Sequence, residues 1–320
     1  MKSYFINPDD GRLRAGWRIL LFIIFFMMVS LAGQTLVKYI YGGIPKTTAY
    51  LRNSMVIFIA ALAASLAVPV ARRFFDKKSF RSLGLKLDAN TAKDLLFGFV
   101  LSGFMAASVF FIMQAAGLIE VAGINWGGNG GENQPGGSLS AYLAMVSLGS
   151  LAFFLVMDVV VAWWEELVFR GYLLQNMIEG MGLVIAVALS CLIYGLVHIT
   201  NPNAGLLSTA IIVLFGYLRI YGYLATGQLW LSMGMHIGWN FFQGPVFGYA
   251  ASGQETASLI SQTPAGPAWL SGGAFGPEGS ILIIPVIGLA LLVMRWWSKR
   301  PASTSGSETL FSAANGQLEA

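Results

Sequence analysis

Apolar runs of spanning length recur along this chain, near residues 17–38, 53–71, 94–116, 140–164, 183–200, 204–222, 229–247 and 281–297. Each is close to the roughly 20 residues that a helix needs to cross a hydrocarbon core. In lipid every backbone N–H and C=O must be satisfied inside the protein, which leaves only helices and closed barrels. The runs are too long for barrel strands, so the expected fold class is all-α, a polytopic transmembrane helix bundle with about eight spans. Charge agrees. Only 11% of the residues are charged and 56% are hydrophobic, whereas a soluble domain is about a quarter charged.

Three connections fix an orientation. Residues 72–93 carry Arg72, Arg73, Lys77, Lys78, Arg81, Lys86 and Lys93, while 117–139 and 248–280 have no Lys or Arg. The positive-inside rule places the first in the cytoplasm and the other two outside. Lys2, Arg12, Arg14 and Arg18 put the N-terminus inside, and Lys299 and Arg300 do the same for the C-terminus. Eight spans satisfy all of these; the loop with Lys38, Lys46 and Arg52 dissents mildly. Residues 1–16 read as a cytoplasmic leader without a clean signal-cleavage site, 17–297 as the bundle, and 298–320, rich in Ser, Ala and Gly, as a disordered cytoplasmic tail. The single cysteine, Cys191, excludes an internal disulfide. The net charge of +4 is not gathered into a basic stripe interleaved with aromatics, which argues against nucleic acid as a partner.

Ionisable side chains inside a membrane are costly and usually functional. Here Glu165, Glu166 and Arg170 lie in WWEELVFRG, His198 ends YGLVH, and His236 and Asn240 lie in MHIGWN; His198 and His236 are the only histidines. Glu166 and Arg170 are four apart and can pair on one helix face. Glu165 is turned about 100° away from Glu166. His236 and Asn240 share a face, as do Tyr194 and His198. Gly180–Gly182 reads as a helix–helix turn, with Glu165 16 residues before Met181 and His198 17 after it. At about 1.5 Å per residue both sit roughly 25 Å from the turn, so an antiparallel hairpin brings them level. The turn Thr200–Asn203 would then lie at membrane depth, which requires protein or a water cavity to cover it.

Glu166 and Arg170 are expected to form a structural ion pair, leaving Glu165 for a site role. Tyr194 reads most simply as a packing residue, and the Trp163–Trp164 and Trp296–Trp297 pairs as interfacial or packing aromatics. A Glu, two His and an Asn converging in a dry cavity suit hydrolysis. A carboxylate beside a His can activate water, and a His with an Asn can donate to a developing oxyanion. Two His and a carboxylate equally suit zinc, although the H-E-x-x-H pattern of zinc proteases is absent. No Ser or Cys nucleophile with an adjacent base is evident.

The ordered set E-E-x-x-x-R (Glu165, Glu166, Arg170), aromatic-x-x-x-His (Tyr194, His198) and His-x-x-x-Asn (His236, Asn240) resembles the CAAX protease and bacteriocin-processing (Abi) family of intramembrane glutamic endopeptidases. The resemblance covers about 160–245, within a family-like core at about 140–247. Tyr194 is a departure, since the family usually has Phe there. The resemblance implies a peptidase in which Glu165 with His198 activates water and His236 with Asn240 forms the oxyanion hole. It implies no metal and no cofactor. Its implied partners are membrane lipids and a peptide or protein substrate, membrane-associated or lipid-modified, and its implied location is a bacterial cell membrane. Prenyl-CAAX cleavage belongs to the eukaryotic branch. Two other classes remain open: a non-catalytic scaffold or bacteriocin-immunity protein, and a proton-coupled transporter, which the lack of internal repeats disfavours.

Overall fold

The computed structural model describes residues 2–8, 10–40, 49–125 and 148–299. The loop with Lys46, most of the 117–139 connection, the start of the 140–164 run and the tail from Arg300 lie outside the described residues.

Each apolar run holds a helix. After a short α1 (Lys2–Phe5) come α2 (Ala15–Ile40), α3 (Ala49–Phe74) and α4 (Thr91–Ala115). Next, α5 (Leu148–Glu165) runs through a π-helical segment (Glu166–Leu173) into α6 (Leu174–Met181). Then follow α7 (Leu183–Val197), α8 (Leu206–Thr226) and α9 (Trp230–Phe241), the last continuing into a second π-helical segment (Phe242–Val246). A single turn, α10 (Ala268–Ser271), and α11 (Ile283–Ser298) complete the helices. Five of them are long and apolar enough to cross a membrane by length and composition, falling within α2, α3, α4, α7 with its last turn, and α8; α11 is a shorter apolar helix. The chain is thus an all-α integral membrane bundle.

One small sheet departs from the all-helical expectation. Strand β1 (Ile119–Ile124) pairs antiparallel with β2 (Ile260–Pro264), with an irregularity at Ala122. It joins the two Lys/Arg-free connections, which therefore share one end of the bundle. The same segment covers the turn after α7: the Asn201 amide donates to the Ser252 carbonyl at 3.1 Å and that of Asn203 to the Ala274 carbonyl at 3.4 Å. The segment is pinned by Glu278, buried, which accepts from Trp239 Nε1 at 2.8 Å and Ser252 Oγ at 2.5 Å.

The basic connections gather at the opposite end. Asp76, fully buried, accepts from Arg72 at 2.7 Å and from Arg18, Tyr172 and Asn176 at 3.3–3.4 Å. Glu179, on the tip of the α6–α7 hairpin, meets Arg18 at 2.8 Å, Arg12 at 3.2 Å and Lys78. Leu229 N–H donates to the Gly84 carbonyl at 2.9 Å, tying the α8–α9 turn to the same cluster. The N-terminal segment, the 72–93 connection, the hairpin tip and the α8–α9 turn thus meet at one end of the bundle.

Between the two ends, α9 is fixed by close backbone packing. A Cβ on Gly234 would lie 2.1 Å from the Leu95 carbonyl oxygen, and one on Gly238 would lie 2.4 Å from that of Phe99. Small residues four apart let membrane helices approach this closely. His236, midway between the two glycines, is about 200° round the helix, so clamping that face to α4 turns His236 toward α5.

Candidate active site

The π-helical segment is the centre of the bundle: all eight of its residues are buried, Glu166 and Arg170 among them. π-helical turns are rare and concentrate at functional sites. The expected Glu166–Arg170 pair is present at 3.2 Å, but Glu166 does more than pair. It also accepts from Ser232 Oγ at 2.5 Å and contacts His236 Nδ1 at 2.9 Å. A carboxylate of this kind only accepts, so the network assigns the imidazole proton to Nδ1 and leaves the lone pair of neutral His236 on Nε2. Arg170 lays its guanidinium 4.0 Å from the centre of the Tyr194 ring, a cation–π contact.

Glu165 is held differently. Its Oε2 accepts from the Tyr194 hydroxyl at 2.8 Å and lies 3.8 Å from His236 Nε2. Among the described residues no Lys or Arg reaches it within ion-pair distance. Its side chain keeps 11% exposure where that of Glu166 has none. The structure therefore brings Glu165, Glu166, Arg170 and His236 together.

His198 stands one turn away from the position expected of it. The side chain that reaches Glu165 across the hairpin is Tyr194, whose ring lies 4.7 Å from the His198 ring. His198 Nδ1 is 2.7 Å from the Tyr194 carbonyl; a carbonyl only accepts, so this proton also sits on Nδ1. No hydrogen bond joins Glu165 to His198 among the described residues. The offset has a physical cause. A π-helical stretch packs more residues into each turn than the 3.6 of an α-helix, so the arm carrying Glu165 is shorter than the α-helical count and Glu165 meets a residue nearer the turn. The reading of Tyr194 as a packing residue alone is corrected by its hydroxyl. Asn240 is half-buried on α9 one turn beyond His236, and its amide makes no hydrogen bond among the described residues.

Sequence reasoning passed over three charged side chains. Arg219, buried on α8, donates to the Tyr194 hydroxyl. Asp158 lies on α5, seven residues before Glu165 and so on the same face, with Oδ2 buried and unbonded among the described residues. Glu278 is the carboxylate that pins the segment covering the turn after α7. The signal for the first two was present, since each is a lone charge inside an apolar run, in FGYLRIYG and LVMDVVV. No group of three His, Cys, Asp or Glu side chains is placed to hold a metal ion among the described residues.

Residues 147–242 match the family model described as type II CAAX prenyl endopeptidase Rce1-like. The match covers just under a third of the chain and spans α5 to the end of α9, so it contains every site residue named from the motifs, together with Arg219 and Asp158. The family read from the motifs and the family found by comparison are the same. No curated protein matches the chain.

Proposed function

We propose that the chain is an intramembrane endopeptidase that hydrolyses a peptide bond with water activated by Glu165. The observation that supports this most is the contrast between the two adjacent carboxylates: Glu166 is enclosed and fully engaged, whereas Glu165 keeps one side open toward His236 Nε2 at 3.8 Å. That gap is too long for a direct bond and suits one bridging water, which donates to both acceptors. Glu165 takes a proton from this water as its oxygen attacks the peptide carbonyl carbon. The Asn240 amide, one turn along α9, donates to the carbonyl oxygen as it becomes an oxyanion. Glu165 then returns the proton to the leaving nitrogen, and the C–N bond breaks. His198, fixed through Nδ1, offers Nε2 on the half-buried side of the site to the substrate. In this scheme His236 rather than His198 shares the water with Glu165.

The substrate class is a peptide segment that reaches the membrane, and the matched family's description makes prenylated C-terminal peptides the first to test. The experiment is mass-spectrometric mapping of cleavage by the purified protein in proteoliposomes, using prenylated and unmodified peptide libraries. Wild type should cleave a subset at defined bonds, and Asn240→Ala should lower turnover by about a hundredfold or more. No cleavage of any library by folded protein would favour the scaffold reading. Activity lost on chelation and restored by zinc would replace the metal-free scheme.

A further inference from the structure

The site poses an electrostatic question: Glu165 is a carboxylate at membrane depth, yet among the described residues no Lys or Arg lies within ion-pair distance of it. One candidate is Arg219, also buried, whose guanidinium has no carboxylate within ion-pair distance among the described residues. One atom lies between them. Arg219 Nη1 donates to the Tyr194 hydroxyl oxygen, and that hydroxyl is 2.8 Å from Glu165 Oε2. The direction of this chain is forced. Guanidinium has donors only and an ionised carboxylate has acceptors only, so the hydroxyl must accept from Arg219 and point its hydrogen at Glu165.

We propose that Tyr194 and Arg219 act as an indirect counterion for Glu165, with Arg219 supplying the charge and the Tyr194 hydroxyl carrying it to one side of the carboxylate. This rests on the reading of Glu165 as the base. A direct Arg–Glu165 pair could occupy both carboxylate oxygens with a two-pronged donor. The hydroxyl takes a single position on Oε2, fixes the carboxylate's orientation, and leaves the side facing His236 Nε2 open for water. Phe, the usual residue of the family pattern at this place, would hold the ring without the link. The ring is separately supported by Arg170 above its face and by Phe169 edge-on at 5.2 Å, so removing the hydroxyl should leave the packing intact. Tyr194 and Arg219 are thus positioning residues that act on Glu165 without meeting the substrate.

The test combines infrared difference spectroscopy with kinetics. The Glu165 carboxylate bands are assigned by subtracting Glu165→Gln from wild type at neutral pH, without substrate. Tyr194→Phe and Arg219→Lys, which keeps the charge but alters the fork, should each shift those bands. Against the peptide that wild type cleaves best in the libraries above, each should lower kcat about tenfold, the worth of one hydrogen bond to a charged group, with KM within about twofold of wild type. The double variant should fall no further than the worse single one, because both act on one link. Unshifted Glu165 bands in Tyr194→Phe, or losses that multiply to about a hundredfold in the double variant, would overturn the relay while leaving Glu165 as the base. If Tyr194→Phe did not fold, unshifted bands in Arg219→Lys alone would overturn it. A fully active Glu165→Gln would instead remove the base, and the counterion's catalytic role with it; the spectra would still report whether the link exists.

Discussion

At the hairpin tip, Asp76 and Glu179 are each met by at least two cations. At the centre of the bundle the two carboxylates are treated unequally: Glu166 takes Arg170, Ser232 and His236, while Glu165 takes one hydroxyl. Both clusters are buried and both use arginine, so burial and charge alone do not separate structure from chemistry. Occupancy does. A carboxylate surrounded by donors has its lone pairs committed and cannot take a proton from water without breaking bonds. One held on a single side is oriented and still available. Changes at the tip should therefore act on folding, and a change at Glu165 should act on turnover.

The largest effect on stability is expected from Asp76→Ala. It strips the shared carboxylate from Arg18 and Arg72, both buried, and an uncompensated buried charge costs about 3–5 kcal/mol. Folded yield and melting temperature in detergent should both drop sharply; an unchanged melt would mean that the tip cluster is not what holds the hairpin to the N-terminal segment. Gly238→Ala comes next. Its Cβ would meet backbone rather than a flexible side chain, so α9 must move from α4, at about 1–3 kcal/mol for overpacking. Because α9 carries His236 and Asn240, activity should fall further than the melt predicts; a wild-type melt and rate would show that the close α4–α9 contact does not aim them.

Glu179→Gln should be milder and dependent on pH. Burial by itself raises the Glu179 carboxyl, but hydrogen bonds from Lys78 and Arg18 outweigh it and leave its pKa below the ordinary carboxylate value. A carboxyl lowered by folding stabilises the protein above its unfolded pKa, and that contribution is lost as pH falls through the folded value. Wild type should thus melt above Glu179→Gln at neutral pH, and the two should converge as pH drops below about 4. A constant gap down to acid pH would remove the charge from the explanation.

The bundle was legible in the sequence because lipid demands long apolar runs, and each of the eight runs holds a helix. The Glu166–Arg170 pair was legible from helical spacing, and the turn at Thr200–Asn203, expected to need cover, meets the Ser252 and Ala274 carbonyls. The local geometry of the site was less legible. Nothing in ELVFRGYL announces a π-helical segment, since the wider turn is set by packing on all sides rather than by propensity, and this segment placed Tyr194 where His198 was expected. Arg219 was overlooked because it is the lone charge in its helix, with no acidic partner at helical spacing; its hydrogen-bond partner is on α7. The β1–β2 pairing joins residues far apart in the chain, and a pairing of that kind leaves no local pattern to read.

The most direct measurement is turnover of a cleaved peptide by matched amounts of folded wild type and Glu165→Gln, with the melting temperature of each recorded alongside. Gln keeps the shape of the side chain and can still accept from the Tyr194 hydroxyl, but it cannot take the proton. The melts should nearly coincide and turnover should fall by at least about a hundredfold, the lower range for losing a general base. Turnover close to wild type from folded Glu165→Gln would contradict the account, since the carboxylate left open at the centre of the bundle would then not be the one that activates water.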